Sequence, residues 1–163
     1  MSFSMRFRRR RAGRTNYHKR LKLLQSGKAR FVIRRSNTSL RCQVVLYQPT
    51  GDRVVAQATA KDIRAAGFTQ SSAKSLPASY LIGYAAAKRA ISAGVKDAIV
   101  DLGMQSASKG SRLFAAVKGA IDAGLQIPVN EEVLPPQDRL EGKHIQAHRN
   151  VTFNIAAVKQ QLK

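Results

Sequence analysis

Residues 29–59 read ARFVIRRSNTSLRCQVVLYQPTGDRVVAQAT, and this stretch decides the fold. Three runs within it, at 29–35, 41–48 and 52–59, are rich in β-branched residues, as strands are. The segments between them are short, and PTG at 49–51 places Pro and Gly where a turn needs them. Because connections this short join antiparallel neighbours, the stretch predicts a three-stranded antiparallel meander.

The second predicted strand shows which side of the meander is buried. Cys42, Val44 and Leu46 fall on one face, whereas Arg41, Gln43, Val45 and Tyr47 fall on the other. An antiparallel sheet with this alternation has one face in the core and one wetter face. The core face needs a covering layer from the remaining chain.

The residues after the meander predict that layer. A short helix is expected at 60–67, and a long apolar helix is expected from Ser75, a good N-cap, to Gly94. KDAIVDLG (96–103) predicts a buried strand, and a second apolar helix is expected from about 111 to 123. These strand–helix units predict an α/β (α+β mixed) fold, in which they extend the meander into a mixed sheet with helices packed on it.

The two apolar helices share a pattern. AAKRAISAGV (86–95) and AVKGAIDAGL (116–125) are identical at six of ten positions. We interpret this as a common plan, an Ala-rich helix that packs closely on the sheet and ends at Gly, rather than as a duplication.

Three regions are predicted along the chain. Residues 1–14 lack hydrophobic periodicity and predict an extended basic arm, 15–129 a single α/β domain, and 130–163 an irregular C-terminal extension with a short helix near its end. A helix from about Thr15 or Asn16 to Gly27 should follow the arm. Its Tyr17, Leu21 and Leu24 lie at i, i+4, i+7 and are expected to pack on the domain, which would turn Lys19, Arg20 and Lys22 towards a partner.

The charge of the chain is concentrated at its N-terminus. The 163 residues are 44% hydrophobic, enough for a core, and carry a formal net charge of +20. Residues 1–41 contain 14 Lys and Arg and no Asp or Glu. Because such self-repulsion does not stabilise a compact domain, the segment predicts a polyanionic partner. A solvated charge run, an anionic membrane surface and a mitochondrial transit peptide are weaker alternatives.

Several protein classes are excluded on composition. No apolar run approaches 18 residues, so no transmembrane helix is predicted. The basic N-terminus is not followed by the apolar segment of a secretory signal. A single cysteine, Cys42, excludes an internal disulfide framework and a multi-cysteine zinc site, and fits a reducing compartment.

The loop GMQSASKGS (103–111) resembles a phosphate-binding loop only in part. Its Lys109 precedes Gly110, so the Walker A spacing fails. The loop nevertheless enters a helix beside Lys109 and Arg112, which would suit a backbone phosphate, although a plain helix-entry loop explains the sequence equally well.

No catalytic or metal site is predicted. Asp97 and Asp101, on one face of a predicted strand, would lie about 13 Å apart. That is too far to share paired metals, which sit about 4 Å apart in two-metal nucleases. His144 and His148 are spaced like helix ligands, but the residue after His144 is not the Glu of a zinc protease. A metal-dependent nuclease and a general nucleic-acid chaperone stay as alternative functions.

The arm favours RNA among polyanions. Six of the first fourteen residues are Arg, whose planar fork binds phosphate oxygens and stacks on bases. Phe3, Phe7 and Tyr17 are interleaved with them, and aromatic side chains commonly stack on unpaired RNA bases.

Longer motifs make the chain resemble a known family. In order, they are RRRRAGRTNYHKRLKLL, ARFVIRRSNTSLRCQVV, GDRVVAQATAKD, IGYAAAKRAISAG, AIVDLG, KGSRLFAAVKGAIDAGLQIP and EEVLPPQDRLEGKHI. Together these resemble the 5S-rRNA-binding protein family of the large ribosomal subunit, the L-eighteen family, in its archaeal and eukaryotic branch. The resemblance covers roughly residues 6–147. The loop after AIVDLG departs from the family, which usually has His and prolines there, because it reads Met104, Gln105, Ser106, Ala107.

The resemblance implies a non-catalytic structural protein without cofactors, located in the cytoplasmic large ribosomal subunit. It implies attachment of 5S rRNA to large-subunit rRNA in the central protuberance, beside an L-five-family protein and other proteins there, with no membrane contact and no homo-oligomer. The expected RNA-contacting residues, carried over by position and by charge, are Arg6, Arg8, Arg9, Arg10, Arg11, Arg14, Thr15, Tyr17, Lys19, Arg20, Lys22, Arg34, Arg35, Ser36, Asn37, Arg41, Lys109, Ser111 and Arg112.

Overall fold

The computed structural model describes residues 4–69, 71–149 and 153–162. Its elements, in chain order, are α1 (Arg8–Arg11), α2 (Tyr17–Gln25), β1 (Ala29–Arg35), β2 (Leu40–Leu46), β3 (Arg53–Thr59), α3 (Ala60–Ala65), α4 (Leu76–Ser92), β4 (Ala98–Asp101), α5 (Arg112–Asp122), a 3₁₀ turn (Glu131–Val133), α6 (Gln137–Leu140), α7 (Lys143–Arg149) and α8 (Ile155–Gln161).

The four strands form one mixed sheet in the order β3-β2-β1-β4. The pairs β1–β2 and β2–β3 are antiparallel, which confirms the predicted meander, and β4 adds parallel to β1. The predicted strand at 96–103 is shorter than expected, with four residues. Beyond α5, a single parallel bridge joins Asp97 to Gln126.

The helices α4 and α5 cover one face of the sheet. Phe31 and Ile33 of β1 and Cys42 and Val44 of β2 are fully buried beneath this layer, as the alternation predicted for β2. At α4, the Ser75 side chain accepts a hydrogen bond from the Ala78 backbone nitrogen at 3.3 Å, which confirms the predicted N-cap.

Helices α4 and α5 approach each other closely in the core. A Cβ added to Gly83 would lie 2.7 Å from the carbonyl carbon and 2.8 Å from Cα of Ala116, and one added to Gly119 would lie 3.0 Å from the carbonyl carbon of Tyr80. The two glycines thus let the helix backbones touch. The small residues of these helices, which were expected to bring helix and sheet together, thus also serve this helix–helix crossing.

The prediction of an irregular C-terminal extension is wrong for much of the segment. Leu140 and Leu162 are buried at 1% and 2% exposure, and the Phe153 ring stacks on Phe68 with centroids 5.8 Å apart. The Lys88 ammonium of α4 also donates to the Leu162 carbonyl at 2.7 Å. Apolar contacts with α4 therefore order α6 and α8. Of the final helix predicted within 151–163, positions 151, 152 and 163 lie outside the described residues.

The arm also differs from its prediction. Arg8–Arg11 form one helical turn, so the expectation of an extended chain is wrong at those positions. The backbone hydrogen bonds of this turn stay within the arm: the Arg11 nitrogen donates to the Phe7 carbonyl and the Ala12 nitrogen to the Arg8 carbonyl, both at 3.0 Å. None of these residues is buried, and the described part of the arm stays at the surface.

Candidate nucleic-acid interface

Helix α2 joins the arm to the domain. The Asn16 side chain accepts from the Lys19 backbone nitrogen at 3.1 Å and caps the helix, and Gly27, with a φ of 66°, follows its last turn. The predicted docking face is wrong for Tyr17 and Leu21, which are 36% and 59% exposed. Tyr17 instead lies beside the arm residue Phe7, with ring centroids 5.5 Å apart.

The basic side of α2 faces the domain at two points. Nη2 of Arg20 lies 2.9 Å from Oδ2 of Asp52, in the turn before β3. Nζ of Lys19 donates to the Gly103 carbonyl at 3.3 Å. The expectation that this side points only towards a partner is therefore wrong, because two long basic side chains also hold the helix in place.

Alternating charges continue from Arg20 into the sheet. Arg30 of β1 is buried, and its guanidinium bridges Oδ2 of Asp52 at 2.7 Å and Oδ2 of Asp101 at 3.2 Å. Oδ1 of Asp101 pairs in turn with Nη2 of Arg34 at 3.2 Å. We call these five residues, Arg20, Asp52, Arg30, Asp101 and Arg34, the ionic chain. It joins α2, the β2–β3 turn, β1 and β4.

The exposed ends of the ionic chain open into a cleft of about 310 Å³ between α2, the arm, β1 and the loop after β4. Seven Lys and Arg residues line the cleft, against the single acid Asp101. These seven are Arg9, Arg14, Lys19, Arg20, Arg30, Arg34 and Arg35. We call this site the basic cleft. It brings together residues from three separately predicted groups: the arm, the start of α2 and the β1–β2 turn.

The loop after β4 is fixed to the cleft by Gln105. Its Nε2 donates to the Ile33 carbonyl at 2.8 Å and to the Leu102 carbonyl at 3.0 Å, while its Oε1 accepts from the Arg35 backbone nitrogen at 3.0 Å. Met104 and Gln105 of this loop thus form part of the wall of the cleft. Sequence reasoning missed Gln105 as well as Arg30, because only the tertiary structure brings them to the site.

A second basic surface lies on the other side of the β1–β2 turn. Arg35, Ser36, Asn37, Lys74 and Arg112 line a groove of about 680 Å³. Nη1 of Arg112 donates to the Lys74 carbonyl at 3.1 Å and so holds the segment before α4 against α5. We call this surface the basic groove. Arg35 lines both the groove and the cleft, so the two surfaces are continuous.

Some expected RNA contacts have internal roles. The Ser36 hydroxyl accepts from the Ser39 backbone nitrogen at 3.0 Å and closes the β1–β2 turn. The Thr15 hydroxyl accepts from Nε of Arg9 at 2.9 Å. Ser111 occupies the N-cap position of α5, and its Oγ is buried without a hydrogen-bond partner among the described residues.

The other expected contacts lie outside both surfaces. Lys109 is exposed beside Glu132, with Nζ 4.0 Å from Oε2. Arg41 is exposed and alternates with core residues of β2, so it lies on the sheet face away from α4. The remaining members are exposed side chains of the arm and α2, namely Arg6, Arg8, Arg10, Arg11, Tyr17 and Lys22.

The acids do not assemble a catalytic centre. Asp101 is engaged by two guanidinium groups, and Oδ2 of Asp97 lies 3.8 Å from Nζ of Lys28. Across residues 4–69, 71–149 and 153–162, no group of three or more His, Cys, Asp or Glu side chains could hold a metal ion. Within the same ranges, no helix has the length and apolar character to span a bilayer.

Comparison with known proteins identifies the family. A family model described as "Ribosomal large subunit proteins 60S L5, and 50S L18" matches residues 1–98 and 93–130. The chain belongs to this ribosomal protein family. It is also similar to proteins named large ribosomal subunit protein uL18: 48% identical to that of Korarchaeum cryptofilum over 143 residues, 88% of this chain and 73% of the relative.

Other archaeal relatives agree with this family assignment. The uL18 of Natronomonas pharaonis is 47% identical over 143 residues, 88% of this chain and 77% of the relative. That of Methanospirillum hungatei is 43% identical over 156 residues, 93% and 89% of the two chains. As a member of this family, the chain is a structural protein of the large subunit of the cytoplasmic ribosome and not an enzyme.

Proposed function

We propose that this ribosomal protein binds 5S rRNA and attaches it to the large-subunit rRNA in the central protuberance. The observation that carries the proposal is the basic cleft, where guanidinium groups from the arm, α2 and β1 converge. Arginine forks at such spacing suit the phosphates of a folded RNA, which proteins recognise largely by shape and backbone. Family membership supports rRNA as the polyanion, and the motif resemblance supports 5S rRNA in particular.

Two basic surfaces suit attachment better than one would. The basic cleft faces the arm and α2, whereas the basic groove lies between the β1–β2 turn and the start of α5. We assign the cleft and the arm to 5S rRNA, and the groove to large-subunit rRNA. We also propose that the protein lies near an L-five-family protein, and only the motif resemblance supports this part of the proposal.

The test is a competition binding measurement on the purified full chain. Labelled 5S rRNA is titrated with protein at several salt concentrations, with an unrelated structured RNA of equal length as competitor. We expect preference for 5S rRNA and a logarithmic salt slope of about −0.7 to −0.9 for each phosphate contacted. Equal affinity for both RNAs would refute the specific function and favour a general nucleic-acid chaperone.

Attachment is tested separately. Large subunits are washed with increasing salt, and the fractions are assayed for this protein and for 5S rRNA. We expect the two to leave the subunit together. Release of the protein while 5S rRNA stays bound would contradict an attachment role.

A further inference from the structure

Asp101 lines a site that should bind phosphate and Asp52 lies beside it, which is unfavourable if only charge matters. Asp101 lines the basic cleft, and Asp52 contacts Arg20 and Arg30 at its edge. Each acid repels an approaching phosphate. Their contacts with arginines supply a compensating role.

We propose that Asp101 and Asp52 are positioning residues for RNA binding, which hold the cleft arginines in the geometry that receives phosphate. This inference deepens the proposed function and rests on it. The ionic chain has a buried centre and accessible ends: the Arg30 side chain is 5% exposed, whereas those of Arg20 and Arg34 are 42% and 44% exposed. The centre anchors the chain, and the two ends present guanidinium groups to the cleft.

The Arg34 guanidinium is fixed by three hydrogen bonds. Its Nη1 donates to the Asp101 carbonyl at 2.7 Å and to the Ile33 carbonyl at 2.9 Å, while Nη2 donates to Oδ1 of Asp101 at 3.2 Å. Oδ1 of Asp101 is itself fixed, because it accepts from the Gly103 backbone nitrogen at 2.8 Å. A free arginine side chain samples many rotamers and loses that freedom on binding, so an arginine already held in place loses less.

Gly103 shapes the same site without any charge. Its φ is 62°, and a Cβ placed there would lie 3.0–3.2 Å from Cζ and both Nη atoms of Arg34. The guanidinium therefore rests against the bare backbone of Gly103. An added methyl group would force Arg34 or the loop backbone to shift by a few tenths of an ångström, and it would strain the positive φ of Gly103, while every charge in the protein stays the same.

The sign of the effect on affinity separates positioning from simple charge. Asp101→Asn raises the net charge by one, so repulsion alone predicts tighter RNA binding. Positioning predicts weaker binding, by about tenfold, because Arg34 and Arg30 lose the negative charge that both guanidinium groups pair with. Asp97→Asn is the matched control: it also removes one acid near β4, but Asp97 pairs with the half-exposed Lys28 at 3.8 Å.

The experiment measures RNA affinity and thermal stability of the full chain for wild type, Asp101→Asn, Gly103→Ala and Asp97→Asn. We expect Asp101→Asn and Gly103→Ala to bind 5S rRNA about tenfold more weakly at fixed salt, and Asp97→Asn to bind as tightly as wild type or slightly more so. If Asp101→Asn does not fold, Asp52→Asn replaces it as the test variant. Asp52→Asn should also weaken the binding of 5S rRNA, although it makes the net charge more positive.

The proposal is overturned if folded Asp101→Asn or Asp52→Asn binds as tightly as Asp97→Asn, or if Gly103→Ala binds like wild type. Failure of the proposed function looks different, since wild type would then fail to prefer 5S rRNA over the unrelated RNA. The same variants compared on whichever RNA wild type binds still report whether the carboxylates position the arginines.

Discussion

Removing the arm should separate RNA binding from folding. The truncation deletes residues 1–14 and keeps Thr15 and Asn16, since the Asn16 side chain caps α2 through the Lys19 backbone nitrogen. A cut two residues later would unravel the first turn of α2 and confuse a local folding defect with a loss of RNA contacts.

The structure predicts a small effect on stability. The described arm residues are exposed, and they reach the rest of the chain mainly through the Arg9–Thr15 hydrogen bond and the Phe7–Tyr17 ring contact. Exposed contacts of this kind are worth about 1 kcal/mol together. For a domain of this size, 1 kcal/mol corresponds to a decrease in Tm of about 2–4 °C.

The predicted effect on RNA binding is large. The deletion removes six arginines, Arg6, Arg8, Arg9, Arg10, Arg11 and Arg14. If each contacts one phosphate, the magnitude of the salt slope falls by about 4–5. The assay is fluorescence anisotropy of labelled 5S rRNA over a salt series, beside thermal unfolding of the same samples.

A charge-conserving variant serves as the control. Replacing all six arginines by lysine keeps the charge but removes the planar fork, so we expect the salt slope of wild type with a lower affinity. The reasoning is refuted if the truncated protein keeps the wild-type salt slope. A decrease in Tm of more than about 8 °C would instead mean that the arm stabilises the domain.

The remaining predictions concern the groove and the core. Lys74→Ala should weaken binding of large-subunit rRNA fragments more than binding of 5S rRNA, as measured by competition. Gly83→Ala should destabilise by about 3 kcal/mol although Ala favours helices, because the added Cβ meets the α5 backbone; thermal unfolding checks this, and a stabilised variant would contradict it. Cys42, whose thiol pKa is raised by complete burial, should resist thiol reagents at pH 8 until the protein unfolds. Burial alone would raise the pKa of Asp62, but hydrogen bonds from Thr59 and from the Arg89 guanidinium hold this pKa below its usual range. The ionised Asp62 should therefore stabilise the fold above about pH 4, and this contribution should disappear as the pH falls below that. In acid unfolding, Asp62→Asn should lack the corresponding loss of stability.

Local patterns predicted the sheet well because strands and tight turns depend on neighbouring residues. The β-rich run at 29–35 placed β1 at its observed bounds, and Pro and Gly at 49–51 placed the turn before β3. The docking of α2 was not predictable in this way. Helical periodicity places the apolar residues of α2 against the domain and its basic residues in solvent. In the structure, however, the basic Arg20 contacts the domain, because it pairs with Asp52, 32 positions along the chain.

The centre of the ionic chain could not be predicted from the sequence, for a related reason. Arg30 and Asp101 are 71 positions apart, and each is an ordinary strand residue in the sequence. They meet because β4 pairs parallel to β1, which brings Asp101 opposite Val32, between Arg30 and Arg34. Register between distant strands depends on packing of the whole sheet, so composition revealed the excess charge but not which charges are organised.

The basic residues of the protein are therefore of two kinds, the exposed arginines of the arm and the paired arginines of the ionic chain. The arm arginines are exposed and within the described residues have no acidic partner, so they act mainly through long-range attraction that salt screens. The ionic-chain arginines Arg20, Arg30 and Arg34 are instead paired with Asp52 or Asp101, so they act through shape and resist screening. Arm variants should therefore change the salt slope, whereas ionic-chain variants should change affinity at every salt concentration with a smaller change in slope. A protein that relied on charge alone would gain nothing from Asp52 and Asp101, two of its nine acids, beside the arginines of the basic cleft.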